Sequence, residues 1–249
     1  MGYFYDPVNG GPLRLEVRSI NGTDFAVLHQ LGYRGAAGEF IFPDDLDRFR
    51  TDFASVPGLF TWLVPRTGDF LPAAVLHDAL VSGEYIGPRV SREQADEIFR
   101  IAMDELGTGR VRSRLMWAAV SLATMFLSRS MWRRVALIGV LAVIVVLGVV
   151  STLDLFDIWN VLPWMGDRPW YVELVTGFVA AVVIPSVLAL SWGSLWLAGV
   201  IAGISLALLL HVTVVLAGLY ALYRVVEYAA SGRRRRDGVY PRRRRPDVR

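Results

Sequence analysis

The sequence predicts an α+β protein in which a short N-terminal antiparallel sheet and a helical domain are followed by an all-α transmembrane segment. Alternating apolar and polar residues before residue 43 indicate strands, and apolar residues at helical spacing dominate residues 71–127. Charged residues then become rare over residues 135–223, and the 249-residue chain as a whole is 54% hydrophobic, too apolar for an ordinary soluble domain.

The strand signals lie near the N-terminus. Apolar and polar residues alternate over residues 13–17, Asn21-Gly22 is a tight-turn dipeptide, and the apolar pattern resumes at Phe25. We therefore expect a β-hairpin over residues 13–31. A third short strand is expected at residues 39–43, where a proline followed by two aspartates ends it.

An apolar helix from residue 71 carries the first polar pair of interest. Pro72 suits a first helical turn and Gly83 suits a helix end, so His77 and Asp78 fall in the middle of the helix among alanine, valine and leucine. A polar pair in such surroundings is either a buried hydrogen-bonded pair that serves the structure or part of a functional site.

The next helix has clear boundaries. Ser91 can cap it together with Gln94, and Gly107 ends it, while Asp96 borders its apolar face. A third helix is expected at residues 111–127.

Three segments are predicted to cross a membrane. Residues 135–153 hold no charge, and 19 helical residues span about 28 Å, the thickness of a hydrocarbon core. Residues 171–190 and 195–226 form the other two spans. The expected organisation is therefore a domain at 1–134, transmembrane helices at 135–226 and a disordered arginine-rich tail at 227–249, in an integral protein of the bacterial cell membrane.

The basic residues give conflicting orientations. Arginines before the first span and in the tail both favour the cytoplasm, and three crossings cannot satisfy both, so the side of the N-terminal domain is left open. A second segment that is re-entrant rather than spanning would also remove the conflict. Beside a membrane the arginine runs favour anionic lipid over nucleic acid as partner. The small residues Gly199 and Gly203 permit close helix contact, so a homo-oligomer through the transmembrane helices is also allowed.

Four residues form the candidate site: Asp52, His77, Asp78 and Asp96. A histidine base, an acid on a neighbouring helix to hold its other nitrogen, and two further carboxylates able to grip a hard cation make a workable hydrolytic set. Other chemistries are poorer. The chain has no cysteine, which excludes thiolate chemistry, and it has no Gly-x-Ser-x-Gly nucleophile elbow.

A set of residues within about 39–125 carries a family resemblance. It consists of Thr51-Asp52-Phe53-Ala54-Ser55-Val56-Pro57, Pro65, Gly68, Ala73-Ala74-Val75-Leu76-His77-Asp78, Arg92, Ala95-Asp96, Phe99, Met103 and Gly107. With these residues the region resembles a family of phages and bacteria known as domain of unknown function 1353. More distantly it resembles the small secreted phospholipase A2 enzymes of bacteria and fungi.

The phospholipase resemblance implies a role for each candidate residue. His77 would activate water as the general base and Asp96 would orient it. Asp78 and Asp52 would hold Ca²⁺, which polarises the ester carbonyl.

Three functions follow from these patterns. The leading expectation is a membrane-anchored, calcium-dependent hydrolase of phospholipid esters. The alternative is a non-enzymatic phage or prophage-type membrane protein that uses the domain for docking in host takeover, lysis or exclusion of other phages. A cell-wall hydrolase is the third expectation.

Overall fold

The computed structural model describes residues 2–21, 24–36, 38–53 and 68–230. Two small antiparallel sheets come first and six helices follow, so the predicted α+β class is confirmed. The strands are β1 (Tyr3–Tyr5), β2 (Val17–Ser19), β3 (Phe25–Val27), β4 (Leu31–Gly35) and β5 (Gly38–Phe42). The helices are α1 (Leu71–Ser82), α2 (Arg92–Glu105), α3 (Arg110–Phe126), α4 (Met131–Leu155), α5 (Trp170–Leu188) and α6 (Trp196–Ala230), with a 3₁₀ segment at Ala189–Leu195 between the last two.

The predicted hairpin is confirmed in a shorter form. Strands β2 and β3 pair antiparallel with Val17 opposite Val27, and each strand has only three residues. Gly22, which was expected to shape the turn, lies outside the described residues.

The second sheet has the order β1-β4-β5, and β5 confirms the third predicted strand. Strands β1 and β4 were not predicted. Two glycines in β4 weaken its strand signal, but Gly32 is required there by packing, because a Cβ at this position would lie 2.4 Å from the Tyr5 ring.

Helices α1 and α2 begin and end as the sequence predicts. Pro72 lies in the first turn of α1, and Gly83 ends the helix with φ +80°. Ser91 and Gln94 form the capping box of α2, and Gly107 follows that helix with φ +79°. Helix α3 matches the third predicted helix to within one residue at each end.

One hydrophobic core joins the sheets to the first helices. Helix α1 contributes its alanine, valine and leucine side chains to this core from almost every side, which explains why it shows no narrow apolar stripe. The largest fully buried aromatic and aliphatic residues of this core are Leu31, Tyr33, Phe40, Phe42, Phe70, Val75, Leu76, Phe99 and Met103.

Two helical stretches of the described chain are long and apolar enough to cross a membrane, by length and composition: Met131–Leu155 and Trp170–Ala230. The second is divided at Gly193, whose φ of 61° and ψ of −120° are not helical. The predicted span at 135–153 lies within α4. The span at 171–190 covers most of α5 and the start of the 3₁₀ segment, and the span at 195–226 covers the end of that segment and most of α6. Whether each crosses a membrane stays a prediction.

The described residues divide into two units, one that ends at Leu210 and one that begins at His211 and is helical up to Ala230. Within the first unit, small residues let α6 approach its neighbours. A Cβ on Gly203 would lie 2.7 Å from the Cβ of Pro185 in α5, and one on Gly199 would lie 2.8 Å from the Trp192 ring. This pair of glycines therefore serves packing inside one chain. A homo-oligomer through these helices stays a prediction.

The connection between α4 and α5 is organised by one carboxylate. Asp154 is fully buried and accepts hydrogen bonds from the backbone N–H groups of Val161, Leu162 and Gly166 at 2.8–2.9 Å. Such a carboxylate fixes the loop around itself. The predicted disordered tail at 227–249 begins inside α6, which continues to Ala230, and residues 231–249 lie outside the described residues.

Candidate functional site

The centre of the candidate site is a contact between two neighbouring helices. Nε2 of His77, on α1, lies 2.7 Å from Oδ1 of Asp96, on α2. The residues are 19 positions apart in the sequence, and the packing of α1 against α2 in the core brings them together. The sequence predicted this pair, and the structure places the two side chains in hydrogen-bonding contact.

Asp96 is held from both sides. Its side chain is 1% exposed, and its second oxygen accepts a hydrogen bond from Oγ1 of Thr124, on α3, at 2.6 Å. A buried carboxylate is costly unless each oxygen finds a donor. Here one oxygen faces the imidazole and the other faces the hydroxyl, so Asp96 has a fixed orientation toward His77.

The contact with Asp96 determines what the other imidazole nitrogen can do. When the neutral ring donates its Nε2–H to the carboxylate, Nδ1 carries the free lone pair and can accept a proton. Nδ1 of His77 lies 3.9 Å from Oδ1 of Asp78, an electrostatic contact that is too long for a hydrogen bond. The His77 side chain is 12% exposed and packs against the Phe99 ring, with 5.0 Å between ring centroids.

Opposing effects act on the pKa of His77. Burial lowers it most strongly, because a charged imidazolium loses its hydration. The two nearby carboxylates of Asp78 and Asp96 raise it, and their combined effect exceeds that of burial, so the His77 pKa is higher than that of an ordinary histidine. The raised pKa makes the neutral imidazole a stronger base for accepting a proton from water.

A threonine ties the third candidate residue to the sheet. Oγ1 of Thr51 donates to Oδ2 of Asp78 at 2.5 Å and also accepts the backbone N–H of Phe53 at 3.0 Å. Thr51 is in turn held by two backbone hydrogen bonds to Phe25 in β3, at 2.8 and 3.0 Å. The segment that carries Asp52 is therefore fixed against α1 through its preceding residue, while Asp52 itself is exposed at the surface.

Comparison with known proteins bears on this part of the chain. Residues 25–120 match a family model described as "Protein of unknown function (DUF1353)". The region from residue 25 to residue 120 is similar to that family. No curated protein matches the chain, and no solved structure matches it either.

The DUF1353 match contains all four predicted site residues, Asp52, His77, Asp78 and Asp96. It ends four residues before Thr124, which supplies the second donor to Asp96. A side chain from outside the matched region therefore supplies a hydrogen bond to Asp96.

Asp52 and Asp78 are the predicted calcium ligands, and few further oxygen donors of the described residues lie with them. Ca²⁺ takes six to eight oxygen ligands. Of the Asp78 oxygens, one accepts from Thr51 and the other faces His77, and the described ranges contain no group of three or more His, Cys, Asp or Glu side chains that could hold a metal. These residues alone do not make a calcium site. Calcium at Asp52 and Asp78 stays a prediction.

Two residues of the site were not predicted to act in it. In the sequence, Thr51 is only part of the family resemblance, and Thr124 belongs to no recognisable motif. The available signal for Thr124 is a hydroxyl in the apolar face of α3, where the residue is 5% exposed. The segment 54–57 and Pro65, which also carry the resemblance, lie outside the described residues.

Proposed function

We propose that this chain is a membrane-anchored hydrolase of phospholipid esters in the bacterial cell membrane, with His77 as general base and Asp96 as the group that orients it. The observation that supports this proposal is the 2.7 Å contact between Nε2 of His77 and Asp96, which leaves Nδ1 as the proton acceptor.

The proposed reaction needs one water molecule and one ester. Nδ1 of His77 takes a proton from water as the water oxygen bonds to the ester carbonyl carbon. The Asp96 carboxylate stabilises the imidazolium that forms. The carbon–oxygen bond to the alcohol then breaks, and His77 returns the proton to the leaving alkoxide. The products are a fatty acid and a lysophospholipid.

Membrane lipid is the favoured substrate because of what adjoins the domain. The chain continues directly from the DUF1353 domain and α3 into helices long and apolar enough to cross a membrane. A domain anchored in this way meets lipid esters at high local concentration.

The test is fatty-acid release from mixed phospholipid vesicles by the purified full chain. We compare His77→Gln and Asp96→Asn with the matched control His29→Gln, which alters an exposed histidine paired with Glu16 on the sheet side of the domain. Loss of a general base is expected to lower the rate about 10²- to 10⁴-fold. The control should keep the rate of the unaltered chain.

The same assay run with Ca²⁺ and with a chelator tests the calcium prediction separately. Release that depends on Ca²⁺, and that falls in Asp52→Asn and Asp78→Asn, would support a metal bound by these two residues. Release that is unaffected by the chelator would contradict calcium and leave the roles of His77 and Asp96 intact.

The competing proposal is a non-enzymatic docking domain of a phage-type membrane protein. The near-complete burial of Asp96 favours it, because a buried histidine–carboxylate pair also holds two helices together. Folded His77→Gln protein that keeps the biological activity of the chain would support docking over hydrolysis. Release of muropeptides instead of fatty acid would point to a cell-wall hydrolase.

A further inference from the structure

The second oxygen of Asp96 connects the site to the apolar helices. Its donor Thr124 precedes Met125, which is 1% exposed and packs in a cluster with Leu137, Val140 and Ile144 of α4. Helix α3 therefore contributes one side chain to the candidate site and the adjacent one to the core of the apolar helices. The site and the start of the apolar helices share one packed element.

A second connection comes from Glu93. This residue lies three positions before Asp96 on α2 and forms an ion pair with Arg133 in the first turn of α4. Its other oxygen accepts a hydrogen bond at 3.2 Å from Oγ of Ser194, in the 3₁₀ segment between α5 and α6. The N-terminal turn of α2 is thus fastened to two of the apolar helical segments at once.

These two connections keep the candidate site close to the start of α4. Three residues of helix advance about 4.5 Å, so Asp96 lies about one turn from Glu93 along α2. Arg133 lies two residues, or about 3 Å of helix, before Val135, where the charge-free stretch of α4 begins. The polar headgroup region on each side of a bilayer is about 5 to 8 Å thick. If α4 is embedded from Val135 onward, the Glu93 end of α2 would lie beside the headgroups, and Asp96 would lie within about one helical turn of it.

The surface around the start of α4 has the composition of a membrane interface. Trp132 is 71% exposed and Met131 80% exposed, and Phe126 and Leu127 are exposed beside them. Arg129 and Arg134 are also exposed in this stretch between the end of α3 and the first turn of α4. Exposed aromatic and aliphatic side chains next to arginines are typical of residues in contact with headgroups and the adjoining acyl chains.

We propose that the His77–Asp96 site works at the membrane surface on ester lipids of the same bilayer in which the apolar helices are embedded. This inference rests on the proposed function and names the source of its substrate. The reaction is the hydrolysis described above, with water and a lipid ester consumed and a fatty acid and lysolipid formed. Glu93 and Arg133 dock the domain and are not part of the reacting groups.

In the first experiment the purified, full-length protein is reconstituted into phosphatidylcholine–phosphatidylglycerol vesicles, and its rate of hydrolysis is measured on three substrates. The first is a labelled phospholipid in the vesicles that contain the protein. The second is the same labelled lipid in separate vesicles that contain no protein, and the third is monomeric dihexanoyl phosphatidylcholine. We expect same-vesicle lipid to be hydrolysed at least about tenfold faster than lipid in the separate vesicles. Equal rates on both vesicle populations would overturn the inference, and absence of hydrolysis of all three would overturn the proposed function with it.

Glu93→Gln tests the docking contact, with Glu97→Gln as the matched control. Glu97 lies one turn further along α2, and its ion pair with Arg100 stays within that helix. We expect Glu93→Gln to lower the same-vesicle rate several-fold and to leave the monomeric ester rate within about twofold, because the dyad itself is unchanged. The combination of Glu93→Arg with Arg133→Glu should restore the rate. Equal effects of the two glutamine variants would contradict the role of Glu93.

A depth measurement tests the placement without relying on hydrolysis. The chain has no cysteine, so Arg92→Cys, at the exposed start of α2, and Arg18→Cys, on β2, each provide one site for a spin label. We expect the label at position 92 to lie at headgroup depth and the label at position 18 to lie in water. Equal exposure of both labels to water would overturn the placement of the site at the membrane surface.

Discussion

The hydroxyl of Thr124 lies 2.6 Å from Oδ2 of Asp96, the oxygen that His77 does not contact. A residue of α3 therefore fixes a carboxylate of α2, which in turn fixes an imidazole of α1. Three helices must therefore pack correctly before His77 has its orientation.

Replacing Thr124 by valine should weaken both stability and activity. The valine keeps the shape of threonine but leaves one oxygen of the buried Asp96 without its donor, at a cost of about 1–3 kcal/mol. The loss of stability is measured by thermal unfolding of Thr124→Val, and the loss of activity by its rate of ester hydrolysis. Thr124→Ser, which keeps the hydroxyl, should recover most of the stability and most of the rate.

The matched control for Thr124 is Ser121→Ala on the same helix. Ser121 is fully buried, and its hydroxyl has no hydrogen-bond partner in the described part of the chain. Its removal should change stability little. A loss at Ser121→Ala as large as that at Thr124→Val would contradict a specific role for the hydrogen bond to Asp96.

The raised pKa of His77 predicts how stability depends on pH. The unfolded value is about 6.5, and the folded value is higher. Below about pH 6.5 the imidazole is charged in both states and its ion pairs stabilise the fold fully. As the pH rises through the folded pKa this contribution is lost. The difference in unfolding free energy between the unaltered chain and His77→Gln should therefore shrink with rising pH, and a difference that grows would contradict the assignment.

The same pKa predicts a rise of activity with pH. Nδ1 of His77 can accept a proton only when the ring is neutral, so hydrolysis should increase as the pH passes the His77 pKa. Asp96→Asn removes one of the carboxylates that raise this pKa, and should shift the midpoint to lower pH while also lowering the maximum rate. NMR titration of His77 in both proteins checks the shift directly, and an unchanged midpoint would contradict the contribution of Asp96.

Asp154→Asn should release the connection between α4 and α5. Three backbone N–H groups donate to this carboxylate, and an amide offers only one accepting oxygen, so about 1–3 kcal/mol of stability should be lost locally. Faster amide exchange at Val161, Leu162 and Gly166 would report it. Asp157→Asn is the control, because Asp157 has φ 54°, a conformation that asparagine tolerates well. Equal exchange in the two variants would contradict the role of Asp154.

Much of the fold follows from local sequence signals. Pro72, Gly83 and the Ser91–Gln94 capping box marked two helices, since each residue acts on the backbone beside it. Strand β4 was not predicted because Gly32 weakens the strand signal. The reason for a glycine there is the Tyr5 ring of β1, which packs over this position. Contacts between distant segments decide such positions, and a single sequence does not display them.

In the candidate site, too, some residues were predictable from the local sequence and others depend on contacts between distant segments. His77 and Asp96 stood out because polar residues in apolar helices need a partner, and the structure pairs them. Thr51 and Thr124 did not stand out, because threonine is common on helices and strands and its role depends on what it faces. The placement of Glu93 against Arg133 joins residues 40 positions apart, and only the packing of α2 on the start of α4 reveals it.

The most direct test of the account is the initial rate of fatty-acid release from phospholipid vesicles by the folded, full-length chain and by His77→Gln, with His29→Gln beside them. The account predicts release by the unaltered chain and by His29→Gln, and a rate lower by about 10²- to 10⁴-fold in His77→Gln. Equal rates in all three proteins, or no release from any of them, would contradict His77 as the base of a lipid hydrolase and leave the His77–Asp96 contact as a structural pair between α1 and α2.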